Sequence, residues 1–185
     1  MLDLIIPISD ADFGELIEYM KTKCNIVSFR VPHFNKFIIT ENNIAYHEYC
    51  LRPDFNNVGD VLLIEPTDKV FTEYKENTRG LIASLEDSII KTYLSEKYIN
   101  QVYGHENEVY FLKFDDTMYE LLKSKPNLYK WRCPNYPEDI SFWIDDFCLC
   151  ETISHENMCF FEDDDDEFFQ EFYDKVLEKY HIDNS

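Results

Sequence analysis

Three cysteines and one histidine near the carboxyl end have the side-chain types that could bind a metal ion or carry out nucleophilic catalysis. They are Cys148, Cys150, His155 and Cys159, in the spacing C-x-C-x4-H-x3-C. Thiolates and imidazole are ligands of tetrahedral zinc, and a Cys–His pair can form an activated nucleophile. Because side chains alternate along a strand, Cys148 and Cys150 are expected to share one face.

This spacing differs from that of zinc knuckles, in which C-x2-C lets two thiolates converge at a tight turn. The alternative interpretation is that the cysteines are small core residues and that Ser154 and His155 form hydrogen bonds in a turn. We therefore assign no catalytic residue, no metal ligand and no cofactor. A small metal protein or enzyme centred on His155 stays an alternative.

The sequence contains no glycine-rich motif for phosphate chemistry. Its four glycines, Gly14, Gly59, Gly80 and Gly104, are isolated from one another. Neither a dinucleotide-binding fingerprint nor a phosphate-binding loop can be formed from them. Pairs of carboxylates suited to acid–base catalysis are present, but in a chain with 37 acids such pairs arise by chance.

Six consecutive acids, Glu162 to Glu167, lie between two Phe pairs in the segment CFFEDDDDEFFQEFYD. A calcium loop alternates ligands with spacers and needs a glycine for its turn, which this run does not have. Acids at the start of a helix complement its dipole, each contributing about 0.3–1 kcal/mol. Two or three acids are enough for that effect, so it accounts for the position of the run and not for its length.

The elements around these residues follow from short-range patterns. After the acid run, Phe168, Phe172, Val176 and Tyr180 recur every four residues and predict an amphipathic C-terminal helix. Before it, residues 140–144 and 147–153, separated by Asp145 and Asp146, predict a β-hairpin, and residues 158–161 predict a short strand.

The rest of the chain adds further strands and helices. Capping signals predict helices after Ser9 and after Asp115. The four-residue spacing of Leu81, Leu85, Ile89 and Tyr93 predicts a helix from Thr78 onward. Strands are predicted at residues 2–6, 25–31, 37–40, 44–49, 61–64 and 108–114, with a loop at 52–60.

Together these elements predict one α+β domain over residues 1–185. It should have a mostly antiparallel sheet and about four helices, with a soft boundary near residues 125–133. The start MLDLIIPISDADF lacks a basic segment and a long apolar run, so no signal peptide is predicted. No stretch approaches the roughly 18 apolar residues of a membrane span. We expect a cytoplasmic protein with reduced thiols.

Negative charge dominates the chain and is unevenly distributed. The formal net charge is −20, from 37 Asp and Glu against 17 Lys and Arg. Residues 134–185, the acidic C-terminal third, have 16 acids and two lysines, a balance of −14. Such a chain repels nucleic-acid phosphates and anionic membrane surfaces, so direct binding to either is not expected. The charge instead favours a basic protein partner.

The segment LYKWRCPNYPEDISFWIDDFCLCETISHE, residues 128–156, resembles a family of small, poorly characterised bacterial proteins. The shared features are a Trp before a Pro-x-x-Pro-Glu-Asp element, an aromatic-rich hairpin and a Ser-His-Glu sequence. The likeness covers roughly residues 80 to 160. It implies no established reaction and no defined catalytic residues, and it associates the chain with immunity and other conflict-system proteins. The Pro-Glu-Asp element is interpreted equally well as scaffold or as binding site.

The leading hypothesis is a non-enzymatic acidic protein that neutralises a basic partner, such as a toxin or defence nuclease, by charge mimicry with aromatic anchors. The alternative to any such function is a housekeeping protein whose charge serves solubility alone. The residues predicted to bind the partner are Glu162, Asp163, Asp164, Asp165, Asp166, Glu167, Asp145, Asp146, Trp143 and Phe161.

Overall fold

The computed structural model describes residues 2–4, 8–32, 37–40, 43–47, 68–95, 107–125, 127–131, 135–154, 157–162 and 166–183. The helices are α1 Asp10–Lys23, α2 Asp68–Ser84, α3 Asp116–Lys123 and α4 Glu167–Asp183. The strands are β1 Leu2–Leu4, β2 Ile26–Pro32, β3 Phe37–Thr40, β4 Asn43–His47, β5 Ile89–Ser95, β6 Asn107–Lys113, β7 Glu138–Ile144, β8 Phe147–Ile153 and β9 Met158–Phe161. Two 3-10 helices lie at Glu86–Ser88 and Leu128–Lys130.

Seven of the strands form one sheet in the order β1-β9-β8-β7-β2-β6-β5, and β3 and β4 form a separate hairpin. Every neighbouring pair in the large sheet is antiparallel. The predicted α+β fold with an antiparallel sheet and a C-terminal helix is confirmed.

One face of the large sheet is the core, where it packs with helices α1, α3 and α4. The strands supply Val27, Phe29, Leu112, Phe142 and Phe161, and the helices supply Leu16, Met20, Met118, Phe169 and Phe172, all of them buried. Full burial of such side chains contributes about 1.5–3 kcal/mol each.

Helix α4 is held against α1 by aromatic and ionic contacts. The rings of Tyr19 and Phe168 stack at 3.7 Å. The buried carboxylate of Asp12 accepts a hydrogen bond from Lys179 at 2.5 Å and lies 3.1 Å from Lys175. The C-terminal helix is thereby fixed to the first helix of the chain.

The prediction of a helix from Thr78 onward is wrong for the second half of that segment. Helix α2 ends at Ser84, and Ile89–Ser95 is strand β5, which pairs with β6. The four-residue spacing continued across two different elements by coincidence. The sequence IIKTYL is rich in β-branched and aromatic residues, which favour an extended conformation. The predicted strand at 61–64 and the loop at 52–60 lie outside the described residues.

An acidic end of the sheet

Four connections of the chain meet at one end of the large sheet, beside the short α1–β2 connection at Asn25. Strands β2, β5 and β8 begin there, and β6, β7 and β9 end there, because all neighbours are antiparallel. The register confirms this, with Ile26 opposite both Lys113 and Trp143. The turn before β5, the β6–α3 connection, the β7–β8 turn and the β9–α4 connection therefore lie at the same end of the sheet.

Acidic residues occupy all four of these connections. They are Glu86, Asp87, Asp115, Asp116, Asp145, Asp146, Glu162, Asp166 and Glu167, and we call this set the acidic end. All are exposed except Asp115 and Asp166, which are partly buried. Residues 163–165 belong to the same run in the sequence and lie outside the described residues.

Asn25 joins three of the strands at the acidic end. Its backbone N–H donates to the carbonyl of Trp143 at 3.1 Å, and its carbonyl accepts from the N–H of Phe114 at 2.8 Å. Its side-chain amide donates to the Asp145 carboxylate at 2.7 Å and accepts from the Asp145 N–H at 2.8 Å. Asp145 has a φ of 54°, in the left-handed region that Asp tolerates better than most residues. The hairpin turn is thereby fixed relative to α3.

The two partly buried acids serve as helix caps. Asp115 accepts from the N–H of Met118 at 3.0 Å and from the Ser88 hydroxyl at 2.7 Å. Asp166 accepts from the N–H of Phe168 at 3.0 Å and from the Tyr19 hydroxyl at 2.5 Å. The last Asp of the acid run thus has a structural role, as the position of the run predicted.

The pKa of Asp166 reflects that role. Burial alone raises the pKa of this carboxyl, but the hydrogen bonds from Tyr19 and from the Phe168 and Phe169 backbone, together with the charge of Lys23, outweigh burial and lower the pKa overall. A carboxyl with a lowered folded-state pKa stabilises the fold above its unfolded pKa. That contribution is lost as the pH falls through the folded-state value.

The Asp166→Ala variant is expected to lose about 1 kcal/mol of unfolding free energy at neutral pH, because α4 loses its cap. The difference from the wild type should shrink as the pH falls below 3.8, the ordinary Asp pKa, and the carboxyl becomes protonated. Urea titrations at several pH values measure it. Glu167→Gln, which removes an exposed charge from the same helix end, is the control and should lose much less. An equal loss in the two variants would contradict the capping role.

Three lysines offset part of the negative charge. Lys21 lies 3.3 Å from Asp116 and Lys23 lies 3.4 Å from Asp166. Lys113 donates to the backbone carbonyl of Asp87 at 3.4 Å. Nine carboxylates against three ammonium groups leave a negative potential over this end of the described structure.

Two exposed apolar side chains lie next to acids of the acidic end. Ile144 and Phe147 flank the Asp145–Asp146 turn and are 37% and 51% exposed. Glu162, at the start of the acid run, donates its N–H to the carbonyl of Leu149, two residues from Phe147. An apolar contact area with carboxylates around it is therefore present at the hairpin tip.

The two aromatic residues predicted to bind a partner, Phe161 and Trp143, differ in their burial and in their contacts. Phe161 is fully buried and stacks on Phe169 with ring centroids 4.5 Å apart, so its ring is not available at the surface. Trp143 is partly buried and donates its indole N–H to the Ser28 hydroxyl at 2.9 Å. The sequence analysis did not identify Phe147 as an exposed aromatic residue. Its position directly after the Asp145–Asp146 turn could have indicated exposure, because the tip of a hairpin projects from the core.

The cysteines do not form the predicted arrangement. The register shifts between Phe142 and Trp143, which pairs Cys150 with Phe142 and Cys148 with Trp143. Directly opposed residues of two paired strands have their side chains on the same face of the sheet. Phe142 and Trp143 are consecutive and therefore lie on opposite faces, so their partners Cys150 and Cys148 lie on opposite faces as well. The expectation of a shared face is wrong for that reason. Among the residues that the structure describes, no group of three or more possible ligands could hold a metal ion. His155 lies outside them.

The described thiols also lack the character of nucleophiles. Cys150 and Cys159 are fully buried, with their sulfurs 3.5 Å apart. Burial raises the pKa of Cys24 and of Cys148 to about 12, and burial raises the pKa of Cys150 as well. A catalytic cysteine requires the opposite shift, because the thiolate is the reactive form.

The Pro-Glu-Asp element makes contacts that hold the fold together. Asp139 and Ser154 exchange hydrogen bonds, with the Ser154 N–H donating to the Asp139 carboxylate at 2.9 Å and the Asp139 N–H donating to the Ser154 hydroxyl at 3.3 Å. Arg30 bridges Asp139 and Glu151 at 3.2 and 2.9 Å. Trp131 is fully buried, with its ring 5.5 Å from that of Tyr136. These contacts favour the scaffold interpretation for the described part of the element.

None of the helices in the described part of the chain has both the length and the hydropathy needed to cross a bilayer. Comparison of the chain with family models, with curated proteins and with solved structures returned no match to any of them. The resemblance of residues 128–156 to a bacterial family stays an expectation from the sequence.

Proposed function

We propose that this chain is a non-enzymatic binding protein whose acidic end blocks a basic surface on a partner protein. The observation that carries the proposal is the position of four acidic connections at one end of the sheet, with exposed Ile144 and Phe147 at the hairpin tip of that end. Carboxylates arranged around an apolar contact area accelerate encounter with a cationic partner, and the desolvated aromatic prolongs the complex.

The structural needs of the fold account for few of these acids. Asp115 and Asp166 cap helices, and the side chain of Asp145 fixes the hairpin turn. The side chains of Asp146, Glu162 and Glu167 are exposed. Mutual repulsion of so many like charges costs stability, and binding to a cationic surface offsets that cost.

The partner class that we propose is a nucleic-acid-binding effector, such as a toxin or defence nuclease. Proteins of that class have a cationic channel for phosphates, and a field of carboxylates competes for it directly. We place the protein in the cytosol, because the four described cysteines are free thiols. Charge that serves solubility alone is the competing interpretation.

Affinity capture tests the proposal. The immobilised protein is expected to retain a basic protein from its own cell extract at low salt, eluted by NaCl and identified by mass spectrometry. A variant with Asp145→Asn, Asp146→Asn, Glu162→Gln and Glu167→Gln should lose it. A control variant neutralises exposed acids at other places in the fold, namely Glu76, Glu120, Asp174 and Glu178.

The control separates a local surface from net charge. Both variants change the net charge by four, so equal loss of binding would mean that the location of the acids is irrelevant. That result, or recovery of no basic protein by the wild type, would support the solubility interpretation instead.

A further inference from the structure

Strand β5 concentrates exposed apolar surface at the edge that the large sheet has in the described part of the chain. Ile90, Tyr93 and Leu94 are 47%, 48% and 58% exposed, and they are three of the five exposed large hydrophobic residues in the described part of the chain. Within that part, β5 pairs with β6 on one side only. An edge strand of this kind is a template for pairing with another strand.

We infer that β5 pairs antiparallel with β5 of a second copy of this chain, which makes the sheets of two protomers continuous. The argument for this occupant is the pattern of Ile89–Ser95. A two-fold axis through Thr92 places Ile90 opposite Leu94 of the second copy and Lys91 opposite its Tyr93. The exposed apolar residues of the two copies then lie along one seam, and each Lys91 lies opposite an aromatic residue of the other copy.

The charge of β5 itself does not oppose a second copy at this edge. Segment Ile89–Ser95 contains no acid and a single base, Lys91, in a chain of net charge −20. A two-fold axis through Thr92 does not place the two Lys91 side chains opposite each other. Lys91 is also turned onto its own sheet, with its ammonium nitrogen 4.5 Å from the centre of the Phe111 ring. Like charges directly opposite one another, which destabilise a strand pair, are thus avoided.

Two features of β5 limit the strength of such a dimer. The register shift between Ile89 and Lys91 is a bulge, and bulges and edge lysines are devices that weaken edge pairing. Seven residues span only about 23 Å. The interface is smaller than the roughly 1,200–2,000 Å² of a stable complex. The dimer is therefore weak and concentration-dependent, and it uses strand β5 itself, which begins directly after Glu86 and Asp87 of the acidic end.

Sedimentation equilibrium of the full chain over a range of concentrations tests the inference. Leu94→Lys should raise the dimer dissociation constant at least about tenfold, because a single substitution removes two symmetry-related cross-strand pairs. Phe147→Lys is the matched control, since Phe147 is similarly exposed at the hairpin tip, and it should leave the constant unchanged. A wild type that is monomeric throughout, or a dimer lost only in Phe147→Lys, would overturn the inference.

Salt separates this inference from the proposed function. Two chains of like charge repel, so dimer formation should strengthen as NaCl screens them, whereas binding to a basic partner should weaken. If added salt dissociated the dimer, ionic contacts would hold the two copies together, and the inference of pairing through β5 would be wrong.

A cross-link tests the register independently of Leu94→Lys. In Thr92→Cys the two new thiols face each other across the axis, within the distance that a disulfide spans. Oxidised glutathione should convert this variant to a covalent dimer faster than it converts Phe147→Cys or the wild type. Equal rates in the three proteins would contradict the two-fold register.

Discussion

The Phe161→Ala variant is expected to lose about 3–5 kcal/mol of its free energy of unfolding, as buried Phe truncations do. The ring is fully buried, stacks on Phe169 and meets Phe172 edge-on at 6.0 Å. Truncation leaves a cavity between β9 and α4, and the surrounding side chains can close it only in part. Urea titration with linear extrapolation measures the change.

Phe147→Ala is the matched variant for the same prediction. Its ring is 51% exposed at the hairpin tip, so its unfolding free energy should stay within about 0.5 kcal/mol of the wild type. Its affinity for the captured basic partner should nevertheless fall by about 1–2 kcal/mol, the effect of removing an aromatic anchor. If Phe161→Ala were as stable as the wild type, the assignment of Phe161 to the core would be wrong. Unchanged affinity in Phe147→Ala would remove the proposed anchor.

The burial of Phe161 and the exposure of Phe147 could not be predicted from composition. Both lie next to acids in the sequence, Phe161 before Glu162 and Phe147 after Asp146. Burial depends on which face of the sheet each strand presents to α4, and that depends on pairing. In the register, Phe161 lies opposite both Leu2 and Cys150, well inside the sheet, whereas Phe147 lies at the first position of β8.

Helix caps and the hairpin were predictable because their signals are local. The Ser9 hydroxyl accepts from the N–H of Asp12, and Asp115 caps α3, as the sequence indicated. The Asp145–Asp146 break also falls at the turn between β7 and β8. In each case the residues that interact lie within four positions of one another, so a short window of sequence contains the whole interaction.

The acidic end required knowledge of strand order. Glu86 and Asp116 are thirty positions apart and Asp116 and Asp146 another thirty. Only the antiparallel arrangement of β5, β6, β2 and β7 brings their connections to one end. Sequence reasoning identified the acidic C-terminal third and missed the contribution of residues 86–87 and 115–116. Strand β5 was missed for a related reason, since its pairing with β6 is not visible in local periodicity.

The second large effect is expected in association kinetics. The variant with Asp145→Asn, Asp146→Asn, Glu162→Gln and Glu167→Gln should bind the captured basic partner about 10 to 100 times more slowly than the wild type at low salt. These four side chains are exposed and come from two adjoining connections, so their fields add at the hairpin tip. Its unfolding free energy should change little, because the capping carboxylates of Asp115 and Asp166 are retained. The amide oxygen that Asp145→Asn introduces can still accept the hydrogen bond from the Asn25 side chain in the hairpin turn.

Stopped-flow measurements at several NaCl concentrations distinguish steering by the acidic end from a general effect of charge. The wild-type association rate should fall steeply as salt rises and approach that of the variant, because screening removes the field that the four acids supply. The dissociation rate should change less, since residence depends on the apolar contact of Phe147.

The control variant at Glu76, Glu120, Asp174 and Glu178 should keep most of the wild-type association rate and its salt dependence. Equal slowing of the two variants would show that net charge acts without regard to position, and the acidic end would then have no specific part in binding.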